Sequence, residues 1–309
     1  MQVSPARYRQ IAIGALVALS VIIVTGTAVR LTNSGLGCDD WPNCSSTRLI
    51  DVSSTHAAIE QINRLFTGVV GAAVIAAVLA SIWRVPPRRE LTWLSVWLVI
   101  GVVANAVLGG ISVLVDLHPV AVQGHLLLSM MLIYAATVLV RRASEPDGVP
   151  LALAVSRPTQ RLAWIVFAVT SLAIVTGTVV TGAGPHAGDE NAERLDIAIP
   201  DAARIHAVSV LTAIALALLL AYRLRKIAAD RDALQTSLSR WIGIALFQGA
   251  LGYVQYFNDV PELLVGIHVL GATLVMIATT LLVLDTRRPM ADADETVPAD
   301  GAPAQTAGV

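Results

Sequence analysis

Eight long apolar runs constrain this chain more than any other feature. They fall at 11–29, 62–83, 92–115, 121–140, 162–182, 203–222, 240–257 and 262–284. About 20 apolar residues cross the hydrocarbon core as a helix. In lipid, a helix satisfies every backbone polar group within the segment itself. An all-α polytopic membrane protein with eight transmembrane helices is therefore expected. Composition agrees: 55% of residues are hydrophobic and only 14% charged, with mean hydropathy +0.70, where soluble domains carry about 25% charge. No small-residue cleavage site follows the first run, so it reads as a first helix and not as a removed signal peptide. A net charge of −1 gives no sign of a nucleic-acid partner; the lipid bilayer is the partner that composition implies.

The basic residues set an orientation. With the N-terminus inside, inner segments hold sixteen of the 21 arginines and lysines, and the outer side holds only Arg30, Arg48, Arg64, Arg194 and Arg204. By the positive-inside rule both termini are cytoplasmic and the loop carrying both cysteines faces out. The basic segment 141–161 reads as a cytoplasmic linker, and 286–309, which is acidic and Pro/Ala-rich towards its end, as a disordered cytoplasmic tail.

An internal repeat organises what lies between. IVTGTAVRLTNSG at 23–35 echoes IVTGTVVTGAG at 174–184. Asn105, Gly109 and His125 recur as Gln248, Gly252 and His268, each 143 residues later. Gly26 and Gly177 differ by 151, so the first half carries eight extra residues in the cysteine loop. Four helices per half keep both halves in one orientation, related by an axis along the membrane normal. Two pseudo-symmetric four-helix bundles follow, 1–140 and 162–285, an architecture that holds cofactors between facing helices.

The histidines locate the chemistry. His118 and His186 fall in outer turns. His56, His125, His206 and His268 open the even-numbered helices on the outer side. A lone histidine on an apolar face is usually a core residue, and hydrogen bonding between helices is the plain alternative. The pair His206 and His268 enters the second bundle from one side at similar depth, as two axial ligands of a haem iron do. In the first bundle the repeat breaks, because the position 143 before His206 is Asn63. His56, Glu60 and Asn63 share one helix face at i, i+4 and i+7. Either His125 alone holds an iron with an open sixth position, or His56 supplies the second ligand. Open positions suit oxygen chemistry and paired histidines suit electron transfer, which assigns catalysis to the first bundle and a resident cofactor to the second. Glu60 favours a helix N-terminus or delivers protons beside the iron. Arg64 and Arg204 pair with haem propionates or anchor the interface. Cys38 and Cys44, outside the cytoplasm, are expected to form a disulfide, as a structural staple or a redox pair.

These residues together resemble the haem A synthase family. The resemblance rests on Thr25-Gly26-Thr27, Ser34-Gly35-Leu36-Gly37-Cys38-x-x-Trp41-Pro42-x-Cys44 and Glu60-x-x-Asn63-Arg64, over about residues 10 to 285. It implies oxidation of a porphyrin ring methyl of haem O to a formyl group, giving haem A for cytochrome oxidase. It also implies a resident haem b on His206 and His268, substrate haem O near His125 in the N-terminal bundle, and a catalytic Glu60. A bacterial plasma membrane follows, with haem O supplied by haem O synthase, an unidentified electron donor and room for a homo-oligomer. Many members carry Glu-x-x-His-Arg; the His56-x-x-x-Glu60-x-x-Asn63-Arg64 pattern resembles an actinobacterial branch. The competing readings are a membrane dihaem b-type cytochrome exchanging electrons with quinone, and a transporter with repeated halves. The cytochrome would place haems near both faces and gives no reason for Glu60 or the cysteine loop. The transporter needs more midplane polar residues than Asn105 and Gln248 supply.

Overall fold

The structure, a computed structural model, describes residues 2–290. Eight helices follow one another: α1 (Pro5–Leu31), α2 (Thr55–Ile82), α3 (Arg89–Leu114), α4 (Pro119–Ala143), α5 (Arg157–Ala183), α6 (Ile199–Lys226), α7 (Ala228–Phe257) and α8 (Glu262–Leu284). Most begin before their apolar runs, and side-chain caps mark the starts of α1, α2 and α4. Ser4 and Ser54 accept the Arg7 and Ala57 backbone N–H groups, and prolines occupy the first turns of α1, α4, α5 and α6. Starting α2 at Thr55 places His56, Glu60, Asn63 and Arg64 in its first three turns.

Seven of the helices are long and apolar enough to cross a membrane. The eighth, α7, is not: Gln248, Gln255, Tyr253 and Tyr256 dilute its apolar stretch, and Asp230, Arg231 and Asp232 lie at its start. It nevertheless packs between α6 and α8 as α3 packs between α2 and α4. The helices close into two four-helix rings, α1 to α4 and α5 to α8, which meet along a seam where α8 touches α1 and α4, and α4 touches α5. Close approach comes from small buried residues, among them Ala12, Ala15, Ala77, Ala136, Ala213 and Ala217. Large apolar side chains such as Trp93, Trp97, Phe247 and Leu211 point outward, as a lipid-facing surface requires.

The repeat extends to the backbone. Asp116 and Leu117, between α3 and α4, both have positive φ, and so do Asp259 and Val260, 143 residues later, between α7 and α8. Two consecutive left-handed non-glycine residues are uncommon, and for a β-branched valine costly. Their recurrence marks one turn used twice.

At the end carrying the N-terminus, Arg84 is buried and its guanidinium donates to Asp147 at 2.7 Å, Arg88 donates to the Arg142 carbonyl, and Arg141 pairs with Asp285 at 3.3 Å. Two short strands, β1 (Leu151–Leu153) and β2 (Arg287–Pro289), pair antiparallel there. The first residues of the expected tail are therefore ordered against the linker, since Ala154 N–H donates to the Thr286 carbonyl and Met290 N–H to that of Pro150. The rest of the expected tail, 291–309, lies outside the described residues.

Candidate functional site

The opposite end of the molecule carries the cysteine loop. Cys38 and Cys44 form a disulfide and both are buried. The loop lies so close to α2 that a Cβ on Gly37 would stand 2.4 Å from the His56 carbonyl oxygen. Trp41 lies over α3, where a side chain on Gly110 would strike its ring.

Glu60 and Arg64 hold this loop. Glu60 is 5% exposed. One carboxylate oxygen accepts the Cys38 N–H at 2.8 Å; the other accepts from Arg64 Nε at 2.9 Å and Nη2 at 2.5 Å. Arg64 Nη1 then donates to the Asp40 and Asn43 carbonyls, at 3.0 and 2.9 Å. The Arg64 guanidinium thereby staples loop to helix, beside the two readings open for it, propionate contact and interfacial anchoring.

The second bundle brings His206 and His268 together. Their ring centroids are 6.5 Å apart with planes at 74°. Two imidazoles bonded through one nitrogen each to a shared metal, at roughly 2 Å per bond, have centroids about 6 Å apart. His206 Nδ1 donates to the Ala173 carbonyl at 3.0 Å, which leaves Nε2 with its lone pair free. His268 Nδ1 is buried without a partner. Gly177 and Gly252 flank the two rings, and a Cβ there would come within 3.1 Å of His206 and 3.4 Å of His268. This pair fits an iron held between two axial histidines.

In the first bundle His125 repeats His268. Its Nδ1 donates to the Asn105 carbonyl at 3.0 Å, again freeing Nε2, and Gly109 faces its ring. Asn105 reaches the His125 carbonyl through Ser129, whereas Gln248 donates directly to that of His268 at 2.8 Å. Asn63 takes the place of His206: its Oδ1 accepts from Thr25 Oγ1 at 2.8 Å, as His206 lies against Thr176. His56 is exposed and its Nδ1 meets Ser34 Oγ at 3.0 Å. It is not brought to Asn63's contact with Thr25.

Arg204 is 77% exposed along its side chain and pairs with Asp201 one turn away, because α6 starts early enough to make them i and i+3. His118 caps α4, and His186 Nε2 donates to the Val260 carbonyl at 2.7 Å, tying the α5–α6 loop to the α7–α8 turn. The sequence reading did not single out Arg30, Gln123 and Arg194, which come from three different elements to Thr181, Gly182 and Pro185 in turn. No common spacing could have flagged them.

Comparison with known proteins gives a consistent picture. The family model COX15-CtaA, described as cytochrome oxidase assembly protein, matches residues 9–58 and 48–188, more than half of the chain. The chain is 27% identical over 179 residues to a haem A synthase of Lysinibacillus sphaericus, covering 55% of this chain and 56% of that one. It is 31% identical over 100 residues to a haem A synthase of Geobacillus kaustophilus (32% and 31% coverage) and 23% identical over 167 residues to one of Exiguobacterium sibiricum (54% and 56%). The chain thus spans about half the length of the curated relatives it matches. The family match contains the cysteine loop, Glu60 and His125; His206 and His268 lie beyond it.

Proposed function

We propose that this chain, which belongs to the COX15-CtaA family of cytochrome oxidase assembly proteins, oxidises a porphyrin ring methyl of haem O to a formyl group, giving haem A for cytochrome oxidase. One observation carries the reading. Two halves built on the same repeat differ at the position facing Thr25 and Thr176, where one presents Asn63 and the other His206. An oxidation site needs a metal position open to reagents, and an electron-transfer site needs both positions filled. His206 and His268 would hold haem b, which when bound supplies reversible one-electron transfer. His125 would bind the substrate haem O through Nε2, with the Asn105 carbonyl fixing ring and tautomer. His56 stands outside this set, held by Ser34.

Glu60 acts first as a positioning residue, keeping the loop over the first bundle; delivery of a proton from its carboxyl requires Arg64 to release Oε1. The positive-inside bias supports cytoplasmic termini and an external cysteine loop. Haem O would come from haem O synthase, electrons from a separate donor, and the Asn63 variant supports placement in the actinobacterial branch. Localisation in a bacterial plasma membrane accords with the apolar surface.

The test is pyridine haemochrome analysis with chromatography of extracted haems, on purified wild type and His206→Ala. Haem b with some haem O or A, and loss of haem b in the variant, is expected. Haem b alone after co-expression with a haem O source would favour a dihaem electron carrier. A protein free of haem after haem-replete expression would overturn both.

A further inference from the structure

At the cysteine-loop end, along the seam between the bundles, three side chains with donor nitrogens gather around the C-terminal end of α5 and the residues just after it. Arg30, from the end of α1, donates through Nη2 to the Thr181 carbonyl at 3.2 Å. Gln123, from the first turns of α4, has its Nε2 where a Cβ on Gly182 would stand, and that nitrogen is buried with no partner. Arg194, from the α5–α6 loop, donates Nη2 to the Pro185 carbonyl, while its Nη1 is buried with no partner. The following residue, Leu195, closes the loop with an N–H bond to the Gly182 carbonyl at 3.0 Å.

Neither arginine belongs to an ion pair among the described residues. The two guanidinium charges lie close enough to oppose each other. Of the loop's four carboxylates, Asp189 accepts the Asn191 N–H and Glu193 faces His118, and neither Glu190 nor Asp196 pairs with Arg30 or Arg194 among the described residues. Two like charges and two orphaned donor nitrogens grouped at this helix end make an arrangement suited to an anion.

We propose that Arg30, Gln123 and Arg194 form a carboxylate seat, and that its occupant is a propionate of the haem held by His206 and His268. This rests on the haem reading above. Position selects the occupant. Thr181 follows Gly177, the glycine against the His206 ring, by one helical turn, about 6 Å along the axis. That separation suits an acid arm reaching from a ring at His206 towards the membrane face. The seat takes residues from both bundles, so the first half completes the cofactor site of the second. Arg30 and Arg194 take this role in place of Arg64, which bonds the cysteine loop, and of Arg204, which pairs with Asp201 at the surface.

The experiment uses the purified full-length chain as wild type, Arg194→Gln and Gln123→Leu. The readouts are haem b transfer to apomyoglobin, the haem b midpoint potential and the low-spin optical spectrum. In Arg194→Gln, haem should leave about ten- to a hundredfold faster, the effect of losing one charge-assisted hydrogen bond. Its potential should move negative as a positive charge is lost, while the two-histidine spectrum stays. Gln123→Leu should accelerate loss more weakly with less change in potential. Loading with haem b dimethyl ester should abolish the difference between wild type and variants. Wild-type transfer rates and potentials in both variants, with haem b still lost in His206→Ala, would overturn the seat and leave the haem reading standing. An anionic lipid bound to wild type and released by Arg194→Gln, with haem parameters unmoved, would assign the seat to a headgroup and overturn the proposal. Wild type without haem b would overturn the underlying reading as well.

Discussion

Asn63 and His206 occupy one position in two copies of the same half-structure: Asn63 Oδ1 accepts from Thr25 Oγ1 at 2.8 Å, and His206 Nδ1 lies 3.3 Å from Thr176 Oγ1. The partners Thr25-Gly26 and Thr176-Gly177 are themselves repeats, so the exchange of side chain stands out against a constant frame. A duplicated protein with two identical haem sites would have no reason to lose a ligand from one of them.

Asn63→His should therefore restore the missing imidazole opposite His125. With haem O bound, the variant should gain a second low-spin haem signal, where wild type shows a five-coordinate or weakly ligated first-bundle haem. Asn63→Ala should lose only the Thr25 hydrogen bond, about 1 kcal/mol, and keep its haem b. Electron paramagnetic resonance of the three proteins checks this; an unchanged low-spin signal in Asn63→His would show that the two positions do not correspond.

The Glu60–Arg64 pair predicts an asymmetric response. Arg64→Ala leaves a buried carboxylate uncompensated and frees two loop carbonyls, a loss of about 3–5 kcal/mol. Arg64→Lys should recover little, because one ammonium cannot bridge the Glu60 carboxylate and both the Asp40 and Asn43 carbonyls. Glu60→Gln should weaken the staple less, by about 1–3 kcal/mol. Protease accessibility of the 38–44 loop and thermal unfolding in detergent measure these effects. Lost synthesis in Glu60→Gln with an intact loop would show a proton-transfer role beyond positioning.

Much of this was legible in the sequence, for reasons that differ by residue. His125 and His268 could be paired because they share an offset of 143 with Asn105 and Gln248, and the structure adds the Asp116–Leu117 and Asp259–Val260 turns at that offset. The disulfide followed from two cysteines in one loop. Arg64 could not be read, since its partners are backbone carbonyls of a loop whose path depends on Gly37 and Gly110. The Arg204–Asp201 pair was hidden because the apolar run begins at 203, whereas α6 begins at Ile199 and sets Asp201 one turn earlier.

Burial of the disulfide argues for a staple over a redox exchange pair. Cys38 and Cys44 are 1% and 2% exposed, and an attacking thiolate needs access to a sulfur. The native protein should resist glutathione, and in its presence the two cysteines should label with maleimide only once unfolding lets glutathione reduce the bond. The Cys38→Ser/Cys44→Ser variant should lose about 2 kcal/mol, the order expected for so short a closed loop. Rapid reduction of the folded protein would restore the exchange role.

The glycines facing the histidines give a graded test that acts on one half at a time. A Cβ on Gly109 would come within 2.9 Å of the His125 ring, one on Gly177 within 3.1 Å of His206, and one on Gly252 within 3.4 Å of His268. The first is too close to stand without movement, the second requires a small shift and the third is ordinary contact. Gly109→Ala should push His125 off the Asn105 carbonyl and impair haem O conversion, while haem b content and spectrum stay at wild type. Gly177→Ala should shift the haem b spectrum or potential and leave haem O binding intact. Gly252→Ala should be nearly silent, since its methyl fits the space present. Haem composition, redox titration and conversion of supplied haem O separate the three. Equal effects of Gly109→Ala on both haems would mean that the halves do not divide the chemistry between substrate and cofactor.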